Sequence, residues 1–140
     1  PAMKFPLARF AALAALFTIP LASCSNEVHT YTLHAEVVQL PTSTAPELLL
    51  RHEAIDGWRT RDGEVVGMDP MTMGFPPKPG LDLSQIAPGD LVEAVLEVDW
   101  DARPPIHISW IADLPAGSKL DFRPADPTRA QPPSEAPRSH

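Results

Sequence analysis

The alternation of apolar and polar residues predicts five short β-strands between residues 31 and 114. Apolar side chains recur at every second position, which is the period of a strand with one buried face. Pro41, Pro88-Gly89-Asp90 and Arg103-Pro104-Pro105 separate the segments with turn-forming residues. The segments are YTLHAEVVQL (31–40), ELLLRHEAI (47–55), MTMGF (71–75), LVEAVLEVDW (91–100) and IHISWIADL (106–114). They predict an all-β domain, either a small barrel or a sandwich, with helix conceivable only around residues 81–86.

The same alternation predicts which side chains face the core. The expected inward residues are Leu33, Ala35 and Val37 in the first strand, Val92, Ala94, Leu96 and Val98 in the fourth, and Ile106, Ile108 and Trp110 in the fifth.

A hairpin is predicted between the second and third strands. The stretch EAIDGWRTRDGEVVG (53–67) contains Asp62-Gly63, a dipeptide that favours a two-residue hairpin turn. A hairpin returns the chain close to its starting point. His52 and Met71 are therefore expected to lie near each other, although they are far apart in sequence.

Both ends of the chain are predicted to lie outside this domain. Near the N-terminus, Lys4 and Arg9 precede an apolar run at 10–21. The run is followed directly by small residues and a cysteine, in the stretch Leu21-Ala22-Ser23-Cys24. This layout is typical of a secretory signal (1–24), and its last four residues resemble the lipobox of bacterial lipoproteins. A plain secretion signal and a buried structural thiol are the alternatives for Cys24, which is the only cysteine and excludes an internal disulfide. Ser25 favours the outer membrane for such a lipoprotein.

The remaining flanks are predicted to be unstructured. Residues 25–30 form a short tether, and the domain covers 31–114. Residues 115–140 are rich in proline and charge, which predicts a disordered tail, with Leu120 and Phe122 as the candidates for contact with the domain.

Net charge excludes one class of partner. Without Lys4 and Arg9, nine basic residues remain against eighteen acidic ones. Nucleic acid binding needs a basic surface, so nucleic acid is not an expected partner. An enzyme is also not expected, because no nucleophile triad, close carboxylate pair or phosphate loop stands out.

The candidate chemistry lies in MDPMTMGF (68–75), which holds three of the four methionines. Met71 and Met73 alternate on one strand and project to one side, with Cα atoms about 6 to 7 Å apart. Thioether sulfur is neutral and soft and favours Cu(I), and by the same logic Ag(I), over harder ions. His52 adds an imidazole nitrogen and Met68 a third sulfur. The alternative is that these methionines only fill a core, while His29, His34, His107 and His140 are expected to be surface or tail residues.

The same residues carry a family resemblance. RHEAIDGW (51–58), MDPMTMGFPP (68–77) and LDLSQIAPGDLVEAVLEV (81–98) resemble the small periplasmic copper- and silver-binding proteins, over about residues 31–113. The resemblance implies a five-stranded OB-like barrel that binds one Cu(I) through His52, Met71 and Met73. It also implies a role in copper efflux and tolerance or in oxidase assembly, with a copper donor or acceptor protein as partner.

Two departures from the family pattern bear on the site. Efflux-pump members carry a tryptophan that caps the metal at the position of Met68. The methionine here resembles the oxidase-associated branch instead, so Met68 is a candidate fourth ligand or a shield. The sequence interval from His52 to Met71 is longer than in the family, and the excess is about the length of the predicted hairpin. Trp58 in that hairpin could fold back to cap the ion by a cation-π contact, or it could pack against the hairpin base. The sequence thus predicts a lipid-anchored Cu(I)-binding protein, with a non-metal structural or interaction lipoprotein as the alternative.

Overall fold

A computed structural model describes residues 27–130 of the chain. Five strands and one short 3₁₀ helix follow one another in this part. The predicted signal segment and Cys24 lie outside the described residues, as does His140. The elements are β1 (His29–Gln39), β2 (Leu48–His52), β3 (Met71–Phe75), β4 (Leu91–Val98), β5 (Ile106–Asp113) and the 3₁₀ helix Pro127–Arg129.

All five strands form one antiparallel sheet in the order β3-β2-β1-β4-β5. The two outer strands approach each other where Pro77, just after β3, forms a parallel bridge with Ile108 of β5. Here Ile108 N donates to Pro76 O at 2.9 Å, and Lys78 N donates to Ile108 O at 2.8 Å. The sheet therefore curls into a barrel-like shape whose outer strands are joined at one bridge instead of along a full ladder. The predicted all-β class is confirmed.

The core forms because apolar residues alternate along β1, β2 and β4. Every second residue of β4 is buried, from Val92 to Val98, and β1 buries Leu33, Ala35 and Val37 as the alternation predicted. Residues between them face outward, so each strand supplies one apolar face to the barrel interior. The remaining buried apolar residues are Leu48, Leu50, Ile55, Trp58, Phe75, Ile86 and Ile108.

The prediction for β5 is wrong at Trp110, whose side chain is exposed. Val95 of β4 pairs with Trp110, whereas its neighbour Leu96 pairs with Ile108. One extra residue, Ser109, is therefore accommodated in β5 as a bulge. Because side chains alternate with a period of two, the bulge turns Trp110 out of the face that holds Ile108.

The insertion hairpin, residues 53–70, exists as predicted but turns differently. Thr60 N donates to Glu64 O at 2.9 Å and Gly63 N donates to Thr60 O at 2.9 Å, which encloses a three-residue loop. Gly63 has φ of +85°, so it occupies the left-handed position that follows the turn instead of a central position. The segment at 81–86 contains turns and no helix, and it contributes Ile86 to the core.

Residues 115–130, called here the C-terminal segment, follow a defined path along the domain. The tail was predicted to begin at residue 115; residues 115–130 make hydrogen bonds to the domain, and residues 131–140 lie outside the described part. The amide of Asp121 donates to Glu53 at 2.7 Å, and that of Ala125 to Asp69 at 2.9 Å. At the other end β1 already begins at His29, within the expected tether.

Residues 27–130 contain no helix that is long and apolar enough to cross a bilayer.

Burial predicts different costs for one substitution at two valines. Val92 is fully buried in β4, and Val66 in the insertion hairpin is 44% exposed. We expect Val92→Ala to lower the free energy of unfolding by about 2 to 3 kcal/mol, because two buried methyl groups are lost and a cavity remains. Val66→Ala should change it by about 0.5 kcal/mol or less. Urea unfolding measures both, and equal effects would contradict the placement of the core.

Candidate metal centre

The pairing of β2 with β3 brings together the residues that the sequence singled out. His52 and Met71 are direct partners in the antiparallel register, and Leu50 faces Met73. Cα atoms of such partners lie about 4.5 to 5.5 Å apart, and their side chains leave the sheet on the same face. His52 and Met71 are therefore within reach of one ion.

Exposure changes steeply along this face of β3. Phe75 is fully buried, Met73 is half-buried and Met71 is 42% exposed. The strand thus runs from the barrel interior to its mouth, and Met71 stands at the boundary with solvent. The thioethers are not sealed in the core, so an ion could reach them from outside.

The imidazole of His52 is fixed in one tautomer. Its Nδ1 lies 2.6 Å from the carbonyl oxygen of Glu53. A carbonyl can only accept, so Nδ1 carries the proton and donates, which leaves Nε2 with a free lone pair in the neutral ring. Nε2 is buried and has no hydrogen-bond partner among the described residues. An unpaired buried acceptor costs about 1 to 3 kcal/mol, and a ligand at Nε2 would remove that cost.

Burial also determines the charge of this ring. Desolvation lowers the pKa of His52, and the hydrogen bond to the Glu53 carbonyl opposes this only in part. The imidazole therefore stays neutral near pH 7, which is the form that binds metal ions. Donation of the second ring N–H to a backbone carbonyl is the usual arrangement behind a histidine ligand.

Met68 is brought to the same end of the strand pair by the insertion hairpin. Ile55 and Met68 form an isolated antiparallel bridge, with their backbone groups exchanging hydrogen bonds of 2.9 and 3.0 Å. This bridge continues the β2–β3 pairing three residues beyond His52. Met68 and Met73 are both half-buried and pack against the core.

Trp58 occupies the packing position that was the alternative to capping the metal. Its ring is 8% exposed and lies between Tyr31, at 5.0 Å, and Trp100, at 6.1 Å between centroids. The aromatic ring that packs beside His52 is Phe75, with centroids 5.9 Å apart. Trp58 therefore joins the core through rings from other parts of the chain.

Harder metal ligands do not converge in the described residues. No group of three or more His, Cys, Asp or Glu side chains is placed to hold an ion within residues 27–130. His34 instead pairs with carboxylates on the outer face of the sheet, with its Nε2 3.1 Å from Glu93. His29 and His107 lie on β1 and β5. The candidate donors at the barrel mouth are therefore one imidazole and neutral thioethers.

The pocket beside Met71 was not predicted from the sequence, although Phe122 was expected to contact the domain. A pocket of about 310 Å³ beside it is lined by Arg51, Asp69, Pro70, Thr72, Phe122 and Pro124. The guanidinium of Arg51 lies 4.0 Å from the centre of the Phe122 ring. Phe122 is far away in sequence, and only its apolar character in a polar segment signalled a contact.

The pKa of His52 predicts a pH-dependent stability. Below about pH 6.5 His52 takes up a proton in the unfolded chain, whereas the buried ring of the folded protein resists protonation. The free energy of unfolding therefore decreases as the pH is lowered, by at most about 1.4 kcal/mol per pH unit from this group. We expect this part of the loss to vanish in His52→Leu. Urea unfolding of both metal-free proteins at about pH 7.5 and 5.5 measures it, since groups other than His52 titrate alike in both. Identical pH dependence would contradict the buried, unprotonated ring.

Comparison with known proteins supplies no family for this chain. Protein-family models, curated proteins and solved structures give no match. The resemblance to the copper- and silver-binding proteins therefore stays a prediction.

Proposed function

We propose that this protein binds one Cu(I) ion at the mouth of its β-sheet barrel and passes it to a partner protein in the cell envelope. His52 Nε2, Met71 and Met73 are the proposed ligands, and Met68 is the proposed fourth. The observation that carries the proposal is the buried, unpartnered Nε2 of His52, directly across the strand pair from the half-exposed Met71.

The chemistry of the donors supports a soft monovalent ion. Thioethers carry no charge and coordinate weakly to Zn²⁺, Ca²⁺ or Mg²⁺, which prefer nitrogen or oxygen ligands. Cu(I) and Ag(I) bind neutral thioether sulfur and imidazole nitrogen, so a site without anionic ligands can hold them. The half-exposed position of Met71 supports transfer over permanent storage, because a partner's ligand can approach that sulfur first.

A structural role is the alternative that one observation favours. Met68 and Met73 pack against the core, as methionines without any metal do. Under this alternative the protein is an interaction or scaffold lipoprotein. It leaves the unpaired Nε2 of His52 without an explanation, which is why copper binding is preferred.

The cellular setting completes the proposal. A lipid on Cys24 would hold the domain at the periplasmic face of a membrane, with the outer membrane favoured by Ser25. The partner is a copper donor or acceptor of the same compartment, for either copper tolerance and efflux or oxidase assembly. No catalytic step is proposed.

Replacing sulfur by carbon tests the metal site. In Met71→Leu/Met73→Leu the side-chain volumes are kept, so the free energy of unfolding should change by less than about 1.5 kcal/mol per substitution. Cu(I) affinity should fall at least about 100-fold, because leucine offers no donor atom. Anaerobic titration with a competing Cu(I) chelator measures the affinity.

X-ray absorption of the Cu(I) complex counts the neighbours, and Met68→Leu serves as the matched variant. Loss of one sulfur in Met68→Leu makes Met68 a ligand, and an unchanged count makes it a shield. Undiminished affinity in the double variant would refute the copper proposal and leave the structural alternative.

Anchoring is tested separately at the predicted lipobox. We expect Cys24→Ala to move the protein from the membrane fraction to the soluble fraction of its host, because the thiol is the only site for the lipid. Cell fractionation followed by immunoblotting measures the distribution. Retention of the variant in the membrane fraction would contradict the anchor.

A further inference from the structure

The C-terminal segment packs on the outer face of the β2–β3 pair. Side chains alternate along a strand, so Arg51 and Thr72 project from the face opposite to that of His52 and Met71. The Arg51 guanidinium lies 4.0 Å from the centre of the Phe122 ring. The segment therefore contacts these strands on the side away from the candidate ligands.

The pairing of β2 with β3 is interrupted before it resumes at the bridge between Ile55 and Met68. Residues 53–54, which follow His52, and residues 69–70, which follow Met68, belong to no strand. Pro70 also has no backbone N–H to donate to a neighbouring strand. The position of Met68 relative to His52 therefore depends on more than the strand ladder.

The segment binds one carboxylate on each side of this interruption. Glu53 accepts the backbone amide of Asp121 at 2.7 Å, and Asp69 accepts that of Ala125 at 2.9 Å. A hydrogen bond to an ionised acceptor is stronger than one between neutral groups. Because Asp121 and Ala125 belong to one short stretch of chain, the segment connects the two sides of the interruption.

Further contacts hold the segment against the base of the insertion hairpin. Asp56 accepts the backbone amide of Asp126 at 2.8 Å, which lowers the pKa of the Asp56 carboxyl, and Arg129 lies 3.4 Å from the same carboxylate. A Cβ atom added at Gly67 would stand 3.0 Å from the Cβ of Ala125, and Gly67 has φ of +71°, which favours glycine. The backbones of hairpin and segment are thus in direct contact.

We propose that Glu53 and Asp69 are positioning residues of the candidate metal centre, and that the C-terminal segment is the support through which they act. Glu53 directly follows His52, and its carbonyl fixes the tautomer of that ring. Asp69 directly follows Met68. Held by one segment, the two carboxylates keep the imidazole and the Met68 thioether at a fixed separation. Such a site binds its ion without first having to order its ligands. The part that concerns metal affinity rests on the proposed Cu(I) site.

The first test needs no metal. Amide hydrogen exchange in the metal-free full chain is followed by NMR in Asp69→Ala and in the parent protein. The amides of Ile55 and Met68 donate across the bridge, and we expect them to exchange about three- to tenfold faster, the ratio that corresponds to loss of one hydrogen bond. Glu53→Ala should act in the same direction and serves if Asp69→Ala fails to fold.

Two matched variants identify the cause of this change. Asp69→Asn keeps an oxygen that can accept the Ala125 amide, so most of the parental protection of Ile55 and Met68 should return. Glu64→Ala removes an exposed carboxylate at the tip of the same hairpin and should leave both amides at parental rates.

The second test measures Cu(I) affinity by anaerobic titration with a competing chelator. Asp69→Ala and Glu53→Ala should each lower the affinity about tenfold, as is typical when the groups that orient a ligand are removed. Asp69→Asn should again recover most of the parental value. Val98→Ala creates a cavity at the far end of β4, where Val98 is fully buried, and should keep the parental affinity, which separates positioning from a general loss of stability.

Parental exchange rates of Ile55 and Met68 in both alanine variants would overturn the proposal, whether or not the protein binds copper. Parental Cu(I) affinity in both would do the same. Equal loss of affinity in Asp69→Asn and Asp69→Ala would also overturn it, because the charge of Asp69 would then matter instead of its contact with the segment. If the parent protein bound no copper, the proposed function would fail, and the exchange rates alone would decide whether these carboxylates hold the bridge.

Discussion

The antiparallel register of β2 against β3 is the constraint on which the rest of the arrangement depends. At one end Leu48 faces Phe75, and both are fully buried, while at the other His52 faces Met71. A slip of one residue would turn both the apolar pair and the donor pair to the outer face. Burial of large apolar side chains, worth about 1.5 to 3 kcal/mol each, therefore holds the two donors opposite each other. The core and the candidate site share one cause.

A gradient of burial along β3 gives the site its chemical character. His52 lies on β2, where it is fully buried although it pairs with Met71, so its ring is desolvated, neutral and held in one tautomer by the Glu53 carbonyl. Because Met71 lies at the outer end of β3, this residue is partly exposed to solvent. The same few residues thus combine a rigid nitrogen donor with an accessible sulfur. Neither property would arise if both residues were in the middle of the sheet or both on its surface.

The C-terminal segment shows how a sequence poor in apolar residues can still be held on a domain. Composition predicted disorder because the segment has little apolar surface to bury. The domain instead offers Glu53, Asp56 and Asp69 as acceptors for its amides. Hydrogen bonds at the surface are individually weak, so the segment belongs to the least stable parts of the fold.

Two other positions depended on contacts that a local pattern does not contain. The alternation through IHISWIADL gave no sign of the bulge at Ser109, because the bulge depends on how β5 meets β4. The fate of Trp58 depended on Tyr31 and Trp100, which come from separate parts of the chain. In both cases the deciding contact joins residues that are distant in sequence.

By itself, the sequence determined the all-β class, the positions of the five strands, the faces of β1 and β4, and the grouping of His52 with Met71 and Met73. These follow from alternation and turn residues, which act over a few neighbouring positions. Only the tertiary structure decided the free lone pair on His52, the outward turn of Trp110, the burial of Trp58 and the contact of Phe122 with Arg51. Each of these depends on which distant groups come into contact once hydrophobic burial has closed the sheet, and a local pattern carries no record of them.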